Sequence, residues 1–244
     1  MARLVYLLFG VFVYFVFFVS FLYLIAFVGD APWAPYTVDR GGPDLGLLPA
    51  IAIDVGLVAL FGVQHSVMAR PGFKRDWTRT VPSALERSLY VLLASLILIL
   101  MYRFWVPIPG TVWNVGSPGG ATTILALFGV GWMTVLVSTF LLNHFELFGL
   151  KQVWDHARGN PAVEPTFRTP LLYKVVRHPI YSGFLLAFWA IPHMTIGHLL
   201  FASSMTVYVL IAIGHEERDL ITEFGNRYED YRRRVGGLFP RLRR

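Results

Sequence analysis

From Pro179 to Gly214 the chain carries no Asp, Glu, Lys or Arg, and this uncharged run is bounded on both sides by dense polar clusters. Before it stands Tyr173–Gly183 (YKVVRHPIYSG), and after it His215–Tyr231 (HEERDLITEFGNRYEDY). As one helix the run would extend roughly 54 Å at about 1.5 Å per residue, too long for a hydrocarbon layer of about 30 Å. Pro192, His193, Gly197 and His198 mark a break near its middle. A helical hairpin follows, with each arm a little short of a full span, and it returns the second polar cluster to the membrane face that the first one left.

The rest of the chain fits that setting. Of its 244 residues 55% are hydrophobic and 15% charged, against about 25% charged in a soluble domain. Four further apolar stretches, near 4–28, 45–67, 85–105 and 121–145, are long enough to cross a bilayer. The first is uncharged for longer than a signal-peptide core and lacks a small-residue cleavage site, so it reads as a membrane helix. The fold class expected is an all-α integral membrane protein of about six transmembrane helices, the last two forming the short hairpin. Without cysteine, neither disulfides nor thiolate metal sites are available, and a thiol nucleophile must come from a substrate.

Lysine and arginine set the orientation. The segments 69–83, 144–178 and 215–244 are basic, whereas 29–44 holds only Arg40 as a cation and 106–120 is uncharged. The positive-inside rule places both termini and the basic segments in the cytoplasm. Trp33, Tyr36, Trp105 and Trp113 in the outer loops suit an interfacial aromatic belt. A basic excess that follows topology indicates lipid headgroups and not nucleic acid, and Arg232, Arg233, Arg234, Arg241, Arg243 and Arg244 read as such anchors.

Polar residues inside the apolar stretches narrow the site. Asp54 lies near the middle of the second helix, where a carboxylate is costly and faces the protein interior, as a clamp between helices or as a pocket group. Gln64, His65, Asn143 and His144 share the cytoplasmic level of helices two and four, which suits either a cavity or a hydrogen-bond cluster. His193 and His198 read as interfacial. No histidine pair has the close helical spacing and acidic third ligand of a catalytic zinc site, so no metal is expected. GxxxxGK, GxGxxG and GxSxG motifs are absent too.

The bracketing clusters are chemically complementary. Pro179 suits the first turn of a helix, whose N–H groups and positive end suit a carboxylate. Gly183 permits close approach of a backbone or a ligand, and Glu216 and Glu217 offer acceptors for hydroxyl or ammonium groups. The alternative is a salt bridge between Arg177 and one of these glutamates, stapling the hairpin. Leu220, Ile221 and Phe224 form a packing stripe, Gly225 a helix stop, and Tyr228 and Tyr231 packing aromatics or a cover for a purine. Phe188 and Trp189 read as packing or lipid-facing side chains more than as pocket walls.

Tyr173, Val176, Arg177, His178, Pro179, Tyr181 and Gly183, followed after the hairpin by Glu216, Glu217, Leu220, Phe224, Gly225, Tyr228 and Tyr231, resemble the isoprenylcysteine carboxyl methyltransferase and phospholipid methyltransferase superfamily over the C-terminal third. The resemblance implies a single transmembrane methyltransferase domain over 1–244, with a four-helix core at 1–145 and the cofactor segment, hairpin and cytoplasmic C-terminal helix at 146–244. It implies S-adenosylmethionine as cofactor, held on the cytoplasmic side by Tyr173, Arg177, His178, Pro179, Tyr181, Gly183, Glu216 and Glu217. Upstream, Gln64–Leu92 (QHSVMARPGFKRDWTRTVPSALERSLYVL) and FRTPLLYKVVRHPIYSGFLLAFWAIP look like the bacterial methanethiol S-methyltransferase family, and the NnrU proteins share parts of both. That narrower resemblance implies methyl transfer to a small thiol, methanethiol, giving dimethyl sulfide and S-adenosylhomocysteine. His65, His144 and His178 are then candidate bases and Arg177 electrostatic support for the thiolate. Methylation of a larger lipid, prenylated thiol or phospholipid amine is the rival reading, and a nonenzymatic, haem-associated NnrU-type accessory the alternative of another class.

Overall fold

The structure, a computed structural model, describes residues 1–161 and 166–241 and is mostly helical. Arg243 and Arg244 lie outside the described residues. Five helices are long and apolar enough to cross a membrane: α1 (Ala2–Val28), α2 (Leu47–Ala69), α4 (Ser83–Phe104), α5 (Pro118–Leu142) and α9 (Ile196–Phe224). At most 39% of the apolar window in any of them is buried, so most of that apolar surface is left for lipid, as befits an integral membrane protein. Shorter helices intervene: α3 (Pro71–Trp77), α6 (His144–Leu147), α7 (Leu150–Arg158), α8 (Pro179–Trp189) and α10 (Asn226–Arg234).

The chain divides into two compact units. The first takes residues 1–110, 144–164 and 195–201. In it α1 packs on α4 and α7, and α2 packs on α4 and α3. Val13, Met68, Tyr90 and Val91 form a buried cluster, against which Phe9, Phe17, Phe73, Trp77 and Phe148 pack. Glycine permits two close approaches here. Gly10 of α1 abuts Val153 of α7, and Gly149, at φ +86°, lies where a Cβ would come within 2.8 Å of the Ser88 nitrogen.

Asp54 is fully buried in α2, and its Oδ1 accepts the Val106 N–H at 2.9 Å, just beyond the end of α4. That bond ties α2 to the segment that follows α4. Trp105 departs from the aromatic-belt expectation: it is 1% exposed, its ring edge-on to Phe27 and Phe201, and its Nε1–H donates to the Val38 carbonyl at 3.1 Å. Trp33, at 70% exposed, keeps the surface position expected of a belt residue. His198 departs as well, being wholly buried with its Nδ1 3.8 Å from the Asp39 carboxylate.

The second unit takes residues 111–143, 165–194 and 202–244. Its strongest packing is α5 on α8, where Gly131 and Gly183 let the two backbones meet. A Cβ on Gly183 would stand 2.7 Å from the Gly131 carbonyl oxygen, and one on Gly131 2.8 Å from that of Gly183. Trp132 closes the same contact with its ring edge-on to Phe184 and Phe188. Phe188 is thereby a packing residue, whereas Trp189 stays 38% exposed and donates from Nε1 to the Thr206 hydroxyl at 3.0 Å.

The hairpin has unequal arms. Its first is the 11-residue α8, and its second, α9, has 29 residues and continues through His215–Phe224. The break falls at 190–195, where a short strand β2 (His193–Thr195) pairs with β1 (Thr111–Asn114). Gly225 ends α9 as expected, at φ +53°, and α10 restarts at once.

Candidate active site

The second unit builds a polar centre where the residues before α8 face the last turns of α9. A 3-10 turn at Leu171–Lys174 presents Tyr173, and a short turn-and-bend segment through Arg177 leads into α8, with Pro179 in its first turn. His178 stands at the helix boundary and is 4% exposed. From α9 comes Glu217, 8% exposed. Its Oε1 accepts from Arg177 Nε at 2.8 Å and Nη2 at 2.7 Å, and lies 3.1 Å from His178 Nε2. Its Oε2 is 3.1 Å from Arg232 Nε of α10. A carboxylate drawn this far from water needs several donors to offset lost hydration, and this one has them.

The stapling ion pair that chemistry alone allowed between Arg177 and a glutamate is therefore present. Glu216 differs: it is 42% exposed, and its Oε2 lies 3.8 Å from His178 Nδ1. Tyr181 lies beside His178 with ring centroids 5.7 Å apart. Gly183, one turn on, approaches the α5 backbone, which accounts for the missing side chain by packing.

The C-terminal segment closes over this centre, a feature without a signal in the side chains. The Arg177 N–H donates to the Gly236 carbonyl at 2.8 Å, the His178 N–H to that of Gly237 at 3.2 Å, and the Ser182 hydroxyl to that of Leu238 at 2.7 Å. Arg177 Nη1 also donates to the Arg232 carbonyl at 3.2 Å and to that of Val235. The carbonyls of Gly236 and Gly237 meet the N–H groups of Arg177 and His178 just ahead of the first turn of α8, where the tail runs parallel to Val176. Arg232 is likewise more than a lipid anchor. Arg233 pairs with Asp230 at 2.5 Å.

An aromatic group flanks the glutamates. Phe167 stands 5.3 Å from Phe224, 5.8 Å from Tyr228 and 5.5 Å from Tyr231 between ring centroids. The Tyr231 hydroxyl donates to the Tyr173 carbonyl at 2.5 Å. Burial, partly countered by the nearby Arg177 charge, pushes the Tyr231 phenol up to about 12. Tyr173 and Tyr228 are raised further, first by burial and then by the neighbouring Glu216 and Glu217 respectively.

Of the remaining candidates, Gln64, His65 and His144 lie in the first unit. His65 stacks on Phe61 at 5.1 Å and leans on Tyr90 at 4.9 Å, and its Nδ1 has no hydrogen-bond partner among the described residues. Gln64 donates to the Met68 sulfur at 3.1 Å. His144 is buried, with its Nε2 2.8 Å from the Tyr14 hydroxyl and its ring edge-on to Phe148. Burial lowers its pKa. Asn143 belongs to the second unit and ends α5 at φ +100°.

Comparison with known proteins places this geometry in a family. The NnrU protein family model matches residues 55–237. Methanethiol S-methyltransferase of Mycobacterium tuberculosis is 53% identical, over 89% of this chain and 88% of that protein. Methanethiol S-methyltransferase 2 of Bradyrhizobium diazoefficiens is 52% identical, over 99% of this chain and 92% of that protein. Human Nurim is 32% identical over 75% of this chain and 76% of its own. No solved structure matches the chain. The chain belongs to the NnrU protein family, alongside the bacterial methanethiol S-methyltransferases.

Proposed function

We propose that the protein is a membrane S-methyltransferase that transfers a methyl group from S-adenosylmethionine to methanethiol, giving dimethyl sulfide and S-adenosylhomocysteine. The observation that carries this reading is the 52% identity, over 99% of the chain, to a protein named for that activity. Glu216 and the phenols of Tyr173 and Tyr228 suit the cofactor: an exposed carboxylate stands with two buried hydroxyls that have no partner among the described residues. We assign His178, Tyr181 and Glu216 to direct contact with it, together with Tyr173. Arg177, Pro179, Gly183 and Glu217 shape that surface. When bound, S-adenosylmethionine supplies an electrophilic methyl group on a sulfonium.

For the acceptor, a small thiol is mostly protonated near neutral pH and gains reactivity on losing its proton. His65 and His144 are the candidate bases, and His65 is favoured because its Nδ1 has no hydrogen-bond partner among the described residues, whereas the Tyr14 hydroxyl stands at Nε2 of His144. Arg177 acts through Glu217, whose carboxylate it holds with two donors.

We further propose six membrane passages with both termini and the site on the cytoplasmic face of a bacterial inner membrane, the whole chain forming one methyltransferase domain. The 11 residues of α8 rise roughly 16 Å at about 1.5 Å per residue, and the turn at 190–192 and the strand β2 continue from its end. Pairing of β2 with β1, in the uncharged loop after α4, supports an outer level for that turn. The deciding assay gives purified protein methyl-labelled cofactor and methanethiol and reads headspace and lipid fractions. Label in headspace dimethyl sulfide is expected. Label in lipid alone would transfer the reading to a lipid acceptor, and a haem spectrum without cofactor binding to an accessory protein.

A further inference from the structure

Where α10 meets the tail, the surface holds a cavity of about 400 Å³ lined by Glu229, Arg232, Arg233 and Arg241. Three guanidinium groups face one carboxylate there. Each is already positioned by the protein: Arg232 Nε lies 3.1 Å from the Glu217 carboxylate, Arg233 Nη2 2.5 Å from that of Asp230, and Arg241 Nη1 donates to the Arg233 carbonyl. A guanidinium carries five N–H donors, and these contacts engage one nitrogen on each, so donors remain on all three. The Arg232 and Arg233 side chains are 52% and 69% exposed, which leaves their donors within reach of a ligand. Like charges gathered on one cavity repel, and an anion between them removes that cost.

We propose that this cavity is a binding site for a phosphate-bearing anion. The planar fork of a guanidinium matches a pair of phosphate oxygens, and the cavity falls within the roughly 300–1,000 Å³ of small-molecule sites. Arg232 and Arg233 belong to α10 and Arg241 to the tail, so one bound phosphate bridges the two. The tail is folded for it: a Cβ on Gly236 would collide with the Phe239 carbonyl, which marks a tight reversal that returns Arg241 to α10. The phosphate comes from an anionic lipid headgroup or from solution, and the same donors serve either. The site stands independently of the methyl-transfer assignment.

The experiment uses the full-length protein in maltoside micelles, its Arg233→Gln and Arg241→Gln variants, and Arg75→Gln of α3, whose side chain is 75% exposed, as the control. Melting temperature is followed on titration with inorganic phosphate at constant ionic strength, and separately with phosphatidylglycerol against phosphatidylcholine. Anything that binds the folded state alone raises the melting temperature. The wild-type protein is expected to be stabilised by at least one probe. The concentration giving half of that effect should rise roughly tenfold or more in each cavity variant, the worth of one hydrogen bond to a charged group, and stay unchanged in Arg75→Gln. Melting without anion checks that each variant is folded. A response to inorganic phosphate assigns a soluble source, and one to phosphatidylglycerol alone a lipid source. No wild-type response to either probe overturns the inference, as does a loss in the cavity variants no larger than that in Arg75→Gln.

Discussion

Arg177 and Glu217, forty positions apart, meet through two donors on a single carboxylate oxygen, at 2.8 Å from Nε and 2.7 Å from Nη2. The side chains are 13% and 10% exposed. Loss of one partner of a pair this buried leaves the other uncompensated and costs about 3–5 kcal/mol. Glu217→Ala should therefore lower the melting temperature sharply as well as weaken ligand binding. Glu216→Ala, at a 42% exposed carboxylate, should weaken binding with melting unchanged. Thermal melts of both variants check this, and equal melting losses would refute the division of labour.

Gly183→Ala tests the crossing of α5 and α8. Its Cβ would meet the Gly131 carbonyl oxygen at 2.7 Å and the Val135 nitrogen at 2.9 Å, both backbone atoms that cannot rotate away. Overpacking of this kind costs about 1–3 kcal/mol. Gly129→Ala is the control, because nothing lies within 4 Å of its Cβ, and it should be neutral or gain up to about 1 kcal/mol of helix stability. Denaturation in mild detergent reads both.

Much of this was legible in the sequence because membrane insertion writes long signals. Uninterrupted apolar runs gave four helices to within a few residues, and the uncharged 179–214 gave the turn that brings Arg177 near Glu217. The parts that were not legible depend on backbone partners. The carbonyls of Gly236, Gly237 and Leu238 carry no side-chain code, so the closing tail read as a basic anchor. Trp105 and His198 read as interfacial because local position shows a loop but not the Phe27 and Phe201 rings, or the Asp39 carboxylate, that receive them. The short α8 was read as a longer arm because the pairing of β2 with β1 satisfies backbone groups after it, and a strand of three residues has no periodicity to detect.

Asp54 should behave as a structural acceptor. Asp54→Leu removes the acceptor of the Val106 N–H and is expected to cost about 1–3 kcal/mol. Asp54→Asn keeps a carbonyl oxygen for that bond and should melt within about 1 kcal/mol of wild type. A dedicated proton-handling role predicts the opposite pattern in turnover: Asn inactive at full stability. Parallel melting and turnover measurements on the two variants decide between them.

The tail offers the sharpest test of how the centre is held. Truncation after Arg234 retains Arg232 and its contact with Glu217, but removes the carbonyls of Val235, Gly236, Gly237 and Leu238. Arg177 then loses the acceptor for its N–H and one of two for its Nη1, the Arg232 carbonyl remaining, and its guanidinium is freer to leave Glu217. Because these bonds lie at the boundary of α8, outside the packed α5–α8 crossing, the five long helices should persist. The truncated protein should retain its circular dichroism yet bind S-adenosylhomocysteine at least roughly tenfold more weakly, the equivalent of about one or two lost hydrogen bonds. Ser182→Ala, which removes only the bond to Leu238, should show a smaller loss in the same direction. Unchanged affinity in the truncated protein would mean that Glu217, His178 and Arg232 hold Arg177 in place without the tail.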